Sequence, residues 1–348
     1  MIRSLALAGL AAGALALGLA ATHDASALPP PMVNDAAILG VAQADGEVRR
    51  MPRTLSEFGF FLDAYGRVPD RRLIAYELNT ALFSDGADKL RYIYVPEGEA
   101  IRARGDGLLD FPMGTAIIKT FAFGAGADQR FIETRVLLHR ADGWLALPYR
   151  WNEEQTEARL ALAGGRIPIT TPDGEEISYR IPNKNQCKSC HSLNDAVIPI
   201  GPKARNLAPD LLEKLASTGK LDTAPAVAEP MPVWSDAGAS KASLARAYLD
   251  VNCAHCHRPG GGASNSGLDL TWEQQDSFAI GVGKPPVAAG RGAGGFLVSI
   301  APGEPDKSIL VHRMNSNEPG VAMPELGRST IDTRAVALMS EWIEEMDQ

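Results

Sequence analysis

Two short segments, CKSCH (187–191) and CAHCH (253–257), hold all four cysteines of the 348-residue chain, and each sets two thiols three positions apart with a histidine directly after the second. A disulfide across two residues closes a very small loop and stabilises little, so thiols at this spacing point to redox, metal or cofactor chemistry. A thioredoxin-like site would sit in a βαβ setting and occur once. Structural zinc could use four thiolates, but the gap from Cys190 to Cys253 far exceeds the roughly 12–20 residues usual between zinc-binding pairs. Haem attachment uses every feature: two thiols add to the two vinyl groups as thioethers, and the adjoining imidazole turns onto the iron. The spacing therefore predicts two covalently attached haem c groups. Cys187 and Cys190 would hold the first with His191 as proximal iron ligand, and Cys253 and Cys256 the second with His257. No residue stands out as a catalytic acid, base or nucleophile.

The opposite axial positions are less plainly marked. Met323 lies in GVAMPELG (320–327), a Pro- and Gly-bounded loop from which a thioether can reach the second iron, with Pro324 restricting the backbone. Met314 and Met339 sit in helical patterns and read as core. For the first iron the candidates are His139, Met113 and Met231, or an open position. His139 reads as a half-exposed sheet histidine, His255 points away from its own iron, and His312 decorates a helix.

The elements that carry these residues fall into two styles. RYIYV (91–95), TAIIKTFAF (115–123), RFIETRVLLHR (130–140) and WLALPYRW (144–151), with shorter runs near 166–170 and 178–181, read as strands separated by turn residues. The second motif is preceded by Leu244, Ala247, Tyr248 and Val251 at helical spacing. It is followed by Val336, Met339, Trp342, Ile343 and Met346 behind Asp332 as a helix N-cap. A short helix is expected from Pro209 to Ser217, stopped by Gly219. The fold class expected is multidomain α+β: an N-terminal antiparallel β-sandwich or barrel-like domain, then an all-α domain. The boundaries are a signal peptide at 1–27, a β-rich domain at 28–221 ending in the first attachment site, a linker at 222–237 and a helical domain at 238–348.

Residues 1–27 show an early arginine, a Leu/Ala/Gly run and Ala25-Ser26-Ala27 as a cleavage site, followed by Pro29-Pro30-Pro31. This predicts export to a bacterial periplasm and no membrane span after the leader is removed. A formal charge of −8 argues against nucleic acid and suits a protein partner with a basic patch. Lys184, Lys188, Lys203 and Arg205 cluster around the first motif and could hold propionates, form a local docking patch or lie on a solvated loop. GRGAGG (290–295) lacks the strand and helix of a nucleotide site, and WNEEQTEA (151–158) reads as a solvated turn.

Residues 238–348, with a helix running into CxxCH, a loop methionine and a terminal helix, resemble class I cytochrome c. A longer set of segments, YELNTALFSD (76–85), FPMGTAIIKTF (111–121), ADGWLALPYRWNEEQTEA (141–158), PNKNQCKSCH (182–191), PIGPKARNL (199–207) and YLDVNCAHCHRPGG (248–261), resembles a bacterial family of exported dihaem c-type cytochromes with an N-terminal β-rich region. That resemblance implies two covalent haems and transfer of single electrons to a redox partner. The alternative is a dihaem oxidoreductase of peroxidase type, with the first haem open to a small substrate.

Overall fold

Between 88 and 151 the chain carries several runs rich in β-branched and aromatic residues, and these form strands whose two faces both become largely buried. The computed structural model describes residues 32–44, 51–171, 174–287 and 290–347; the expected leader at 1–27 lies outside the described residues. Six strands, β1 (Leu73–Ala75), β2 (Asp88–Tyr94), β3 (Ala116–Phe123), β4 (Arg130–Arg140), β5 (Gly143–Trp151) and β6 (Ala158–Leu160), pair in sequence order as one antiparallel sheet.

The register decides what each face does. On one face Tyr92, Ile118, Val136 and Leu147 stand in a cross-strand row, packed with Phe58, Phe60 and the helix α1 (Asp35–Ala42). On the other, Ile93, Ile117, Leu137 and Ala146 form an apolar row. It packs with Leu212 and Leu215 of a later helix, Pro209–Ser217. Fully burying one such aliphatic side chain contributes about 1.5–3 kcal/mol. One step along the same face the row changes character to Arg91, Lys119, Arg135 and Pro148.

Two hairpins follow, β7 (Gly165–Thr170) with β8 (Glu176–Ile181), and β9 (Ser192–Leu193) with β10 (Ala196–Val197). The remaining helices are α2 (Lys184–His191), α3 (Pro209–Ser217), α4 (Lys241–Asn252), α5 (Ser277–Ile280), α6 (Ile309–Met314) and α7 (Thr333–Glu344). The Asp332 carboxylate caps α7 by accepting from the Ala335 amide at 3.0 Å, and Ser240 caps α4 in the same way from Ser243 at 3.1 Å.

The expected fold class needs correction. The strands make one open six-stranded sheet with two small hairpins beside it, not a closed barrel or a sandwich. Nor do residues 238–348 form an all-α cytochrome domain. The helices there have 12, 4, 6 and 12 residues, and irregular chain with isolated bridges such as Val282↔Ile300 and Val298↔Ser308 lies between them. Gly and Pro are the reason: Gly260, Gly261, Pro285, Pro286, Gly294, Gly295, Pro302 and Pro319 interrupt any helix before it can propagate.

This C-terminal part belongs to the same compact unit as the sheet, Met32–Gln348. Buried polar contacts join the two. The Asp85 carboxylate accepts from the amides of Ser329 (2.7 Å) and Thr330 (2.9 Å), and Asn252 Oδ1 accepts from the Phe83 amide at 2.8 Å. Lys203 Nζ meets the fully buried Asp250 carboxylate at 2.5 and 2.7 Å. Among the described residues no helix is long and apolar enough to cross a membrane.

Candidate cofactor-attachment sites

Helix α2 carries the first motif. Asn183 Oδ1 accepts from the Gln186 amide (2.9 Å) while Gln186 Oε1 accepts from the Asn183 amide (3.0 Å), a reciprocal cap that sets where the helix starts. The helix ends at His191, and the β9–β10 hairpin doubles back through Asn194 and Asp195, at φ 49° and 65°. Asn and Asp tolerate this left-handed pair, as a two-residue hairpin turn of this kind requires. The return brings the Ile198 carbonyl to 2.8 Å from His191 Nδ1. A carbonyl can only accept, so Nδ1 carries the proton and Nε2 keeps a lone pair.

The second motif begins at the C-cap of α4, and a tight turn closes it, with the Cys256 and His257 amides donating to Cys253 O at 3.1 and 2.9 Å. His257 Nδ1 lies 2.9 Å from Ser266 Oγ, whose own hydrogen goes to Ala263 O at 2.7 Å. Ser266 must therefore accept from Nδ1–H, and His257 is held in the same tautomer as His191. Burial pushes both imidazoles down to about 4, so both are neutral near pH 7. A histidine fixed through Nδ1–H with a free Nε2 is the form that ligates a metal.

Each motif lines its own cavity. Cys187, Cys190 and His191 face a slot of about 190 Å³ between the Arg91–Lys119–Arg135 row and α4. Cys253, Cys256 and His257 face a larger space of about 730 Å³, and Met323 lines it with them. The larger volume lies within the roughly 300–1,000 Å³ of small-molecule and cofactor sites, and the first slot is narrower. Cys190, Tyr248, Asn252 and His255 line both. The Met323 loop is braced from behind: its amide donates to Arg313 O at 3.0 Å, and Arg328 donates to the carbonyls of Met323 (3.0 Å), Ser316 (2.7 Å) and Thr330 (2.8 Å).

The residues present fit a haem at each site by donor set: two thiols, an Nε2 lone pair and cavity walls with unpaired polar atoms. His255 Nδ1 and Arg91 Nε are buried without a hydrogen-bond partner, and both residues line the first slot. All four cysteines are free. Burial pushes Cys253 up to about 12 and raises Cys187. The Cys190 thiol is lowered by its hydrogen bond with Cys256, which is raised by the same contact, so one proton serves the pair. Among the described residues no three or more His, Cys, Asp or Glu side chains converge as a metal-binding group.

The three candidate ligands for the first iron lie elsewhere. His139 stacks on Trp144 (4.5 Å between ring centroids) and bonds Phe111 O at 2.8 Å; Met113 is 41% exposed; Met231 is packed with Ala247 and Val251. None of them lines either cavity. The basic cluster around the first motif also divides. Arg205 is buried, paired with Asp106 at 3.0 Å and with Glu273, and Lys203 is held by Asp250, which leaves Lys184 half-buried and Lys188 exposed. Sequence reasoning missed the cations on β2, β3 and β4, because an isolated Lys or Arg on a strand reads as a solvated position. It also missed His255 as a wall of both cavities. The chain matches no family model, no curated protein and no solved structure.

Proposed function

We propose that this chain is an exported dihaem c-type cytochrome that passes single electrons between its two attached groups and a redox partner. The observation that carries the reading is the paired geometry of the motif histidines. Both hold Nδ1–H on a fixed oxygen and line the same cavity as the cysteines of their own motif. Haem bound at these positions supplies reversible one-electron iron chemistry.

The chain's own residues attach, orient and shield. Cys187 and Cys190, and Cys253 and Cys256, provide the thioether sulfurs. Ile198 O and Ser266 Oγ fix the ring orientation of the two histidines, and Met323 offers a thioether to the second cavity. The Leu193↔Gly261 bridge joins the segments that follow the two motifs. A partner with a basic patch suits a surface of formal charge −8. The leader-like residues 1–27 support a periplasmic setting.

The experiment is a mass and absorption analysis of matured protein, with Met323→Ala beside the wild type. Two covalent haems per chain are expected in both, with the methionine-to-iron band lost in the variant. Colourless protein, or one haem per chain, rejects the reading, and an unchanged band removes Met323 as ligand.

A second reading, a dihaem oxidoreductase with an accessible first iron, draws on the absence of His139, Met113 and Met231 from the first cavity, which leaves His255 as its one imidazole besides His191 among the described residues. Adding carbon monoxide to the reduced protein separates the two. Rapid binding at one haem supports the oxidoreductase, and two unreactive low-spin haems support the carrier.

A further inference from the structure

The sheet register sets Arg91 opposite Lys119 and Lys119 opposite Arg135, three cations in one row beneath the first cavity. Like charges directly opposite across strands are destabilising, so a sheet that needed only to fold would continue the apolar row of Ile93, Ile117 and Leu137.

Two of the three cations are neutralised within the chain. Arg135 makes two bonds to the buried Glu133 carboxylate, through Nε at 2.9 Å and Nη2 at 2.5 Å, and Arg91 reaches Glu77 at 3.3 Å. Lys119 has no carboxylate within ion-pair distance among the described residues; its Nζ lies 5.8 Å from the centre of the Phe121 ring. What accessible surface it keeps belongs to a side chain that lines the cavity.

The charge of the whole cavity leans the same way. Its lining includes Arg91, Lys119, Arg135, Lys203 and Arg328 against one acid, Asp250, which Lys203 already holds. Burial first, and then the neighbouring Arg91 and Arg135, push the Lys119 ammonium well below the usual lysine range, and an incoming carboxylate supplies the counter-charge that restores its protonated form. Arg91 Nε, buried and unpartnered next to it across the strands, offers a second donor.

We propose that Lys119, with Arg91 beside it, binds a carboxylate of the group attached at Cys187, Cys190 and His191, that is, a propionate of the first haem. This rests on the haem reading above and assigns the propionate contact to the sheet rather than to the lysines around the motif.

The test uses matured protein carrying Lys119→Met or Lys119→Gln, with Lys119→Arg as the charge-retaining variant and the exposed Lys188→Met as control. Mass first counts the attached groups, and fewer than two in the wild type removes the haem reading itself. With two present, redox titration is expected to show a lower midpoint potential for the first haem in both neutral variants. Lys119→Arg should restore the wild-type potential and Lys188→Met should leave it unchanged. An unshifted potential in the neutral variants overturns the assignment. So does a change from low-spin to high-spin absorption, which would make Lys119 an iron ligand. Succinate titrated into the wild type should give no saturable spectral change; one that disappears in Lys119→Met would assign the row to a free acid and overturn the propionate.

Discussion

The Asn194 amide donates to the Gly260 carbonyl at 2.9 Å, fastening the turn after the first Cys-His motif to the turn after the second. Gly260 adopts φ +74°, and a Cβ there would collide with the Asn194 side-chain amide. Gly260→Ala is therefore expected to destabilise the protein by about 1–3 kcal/mol, part backbone strain and part collision. Pairing it with Asn194→Ala should recover the collision part alone, read from urea unfolding of the two single variants and the double. Equal midpoints for Gly260→Ala and the wild type would mean the two turns are not in register as described.

Ser266 tunes the second site through His257. Its hydroxyl, committed to Ala263 O, accepts from Nδ1–H and makes the ring a better donor at Nε2. Ser266→Ala should raise the midpoint potential of the second haem, because a less basic ligand stabilises the oxidised iron less. The first haem should keep its potential. Redox titration of the variant checks both, and a fall at the second site would contradict the assigned tautomer.

The Lys203–Asp250 pair bridges the approach to the first motif and helix α4. Asp250 is fully buried and also accepts from the Trp272 amide at 3.0 Å. Lys203→Met leaves that carboxylate uncompensated, and a loss of about 3–5 kcal/mol is expected. Lys203→Met with Asp250→Leu should lose much less, since an apolar pair needs no counter-charge. A double-mutant cycle by chemical unfolding measures the difference, and additive losses would show the pair to be uncoupled.

Before haem attachment, with both Nε2 atoms unligated, stability should also depend on pH through the two motif histidines. Burial holds both at about 4 in the folded chain, against about 6.5 when unfolded. Between those values the unfolded chain binds protons that the native chain refuses. Stability from this source is complete above about pH 6.5 and is lost as pH falls towards 4. The urea midpoint of the haem-free chain is expected to be lower at pH 5 than at pH 7, and a midpoint that rises on acidification would contradict the burial of both rings.

Much of the local structure is legible in the sequence. The segment Pro209–Ser217 carries its own start and stop, Asp332 caps the last helix, and β2 to β5 occupy the stretches rich in β-branched and aromatic residues between turn signals. These are interactions between near neighbours, so their signals lie within a few residues of the elements they control. The two Cys-His motifs are likewise local, since thiol spacing alone points to the chemistry they can support.

Tertiary structure decided the rest. Helices flanking CAHCH suggested a separate all-α domain, but what lies between them is irregular chain shaped by Gly and Pro and joined to the sheet through Asp85, Asn252 and Lys203. No periodicity announces such contacts, because each depends on a single polar side chain meeting backbone or charge far away in sequence. The same is true of the cation row: Arg91, Lys119 and Arg135 become neighbours only through strand register. Residue types and short spacings thus determined which chemistry the chain can host. Long-range pairing decided that the two motifs adjoin, which side chains wall each cavity and which charge is left without a partner.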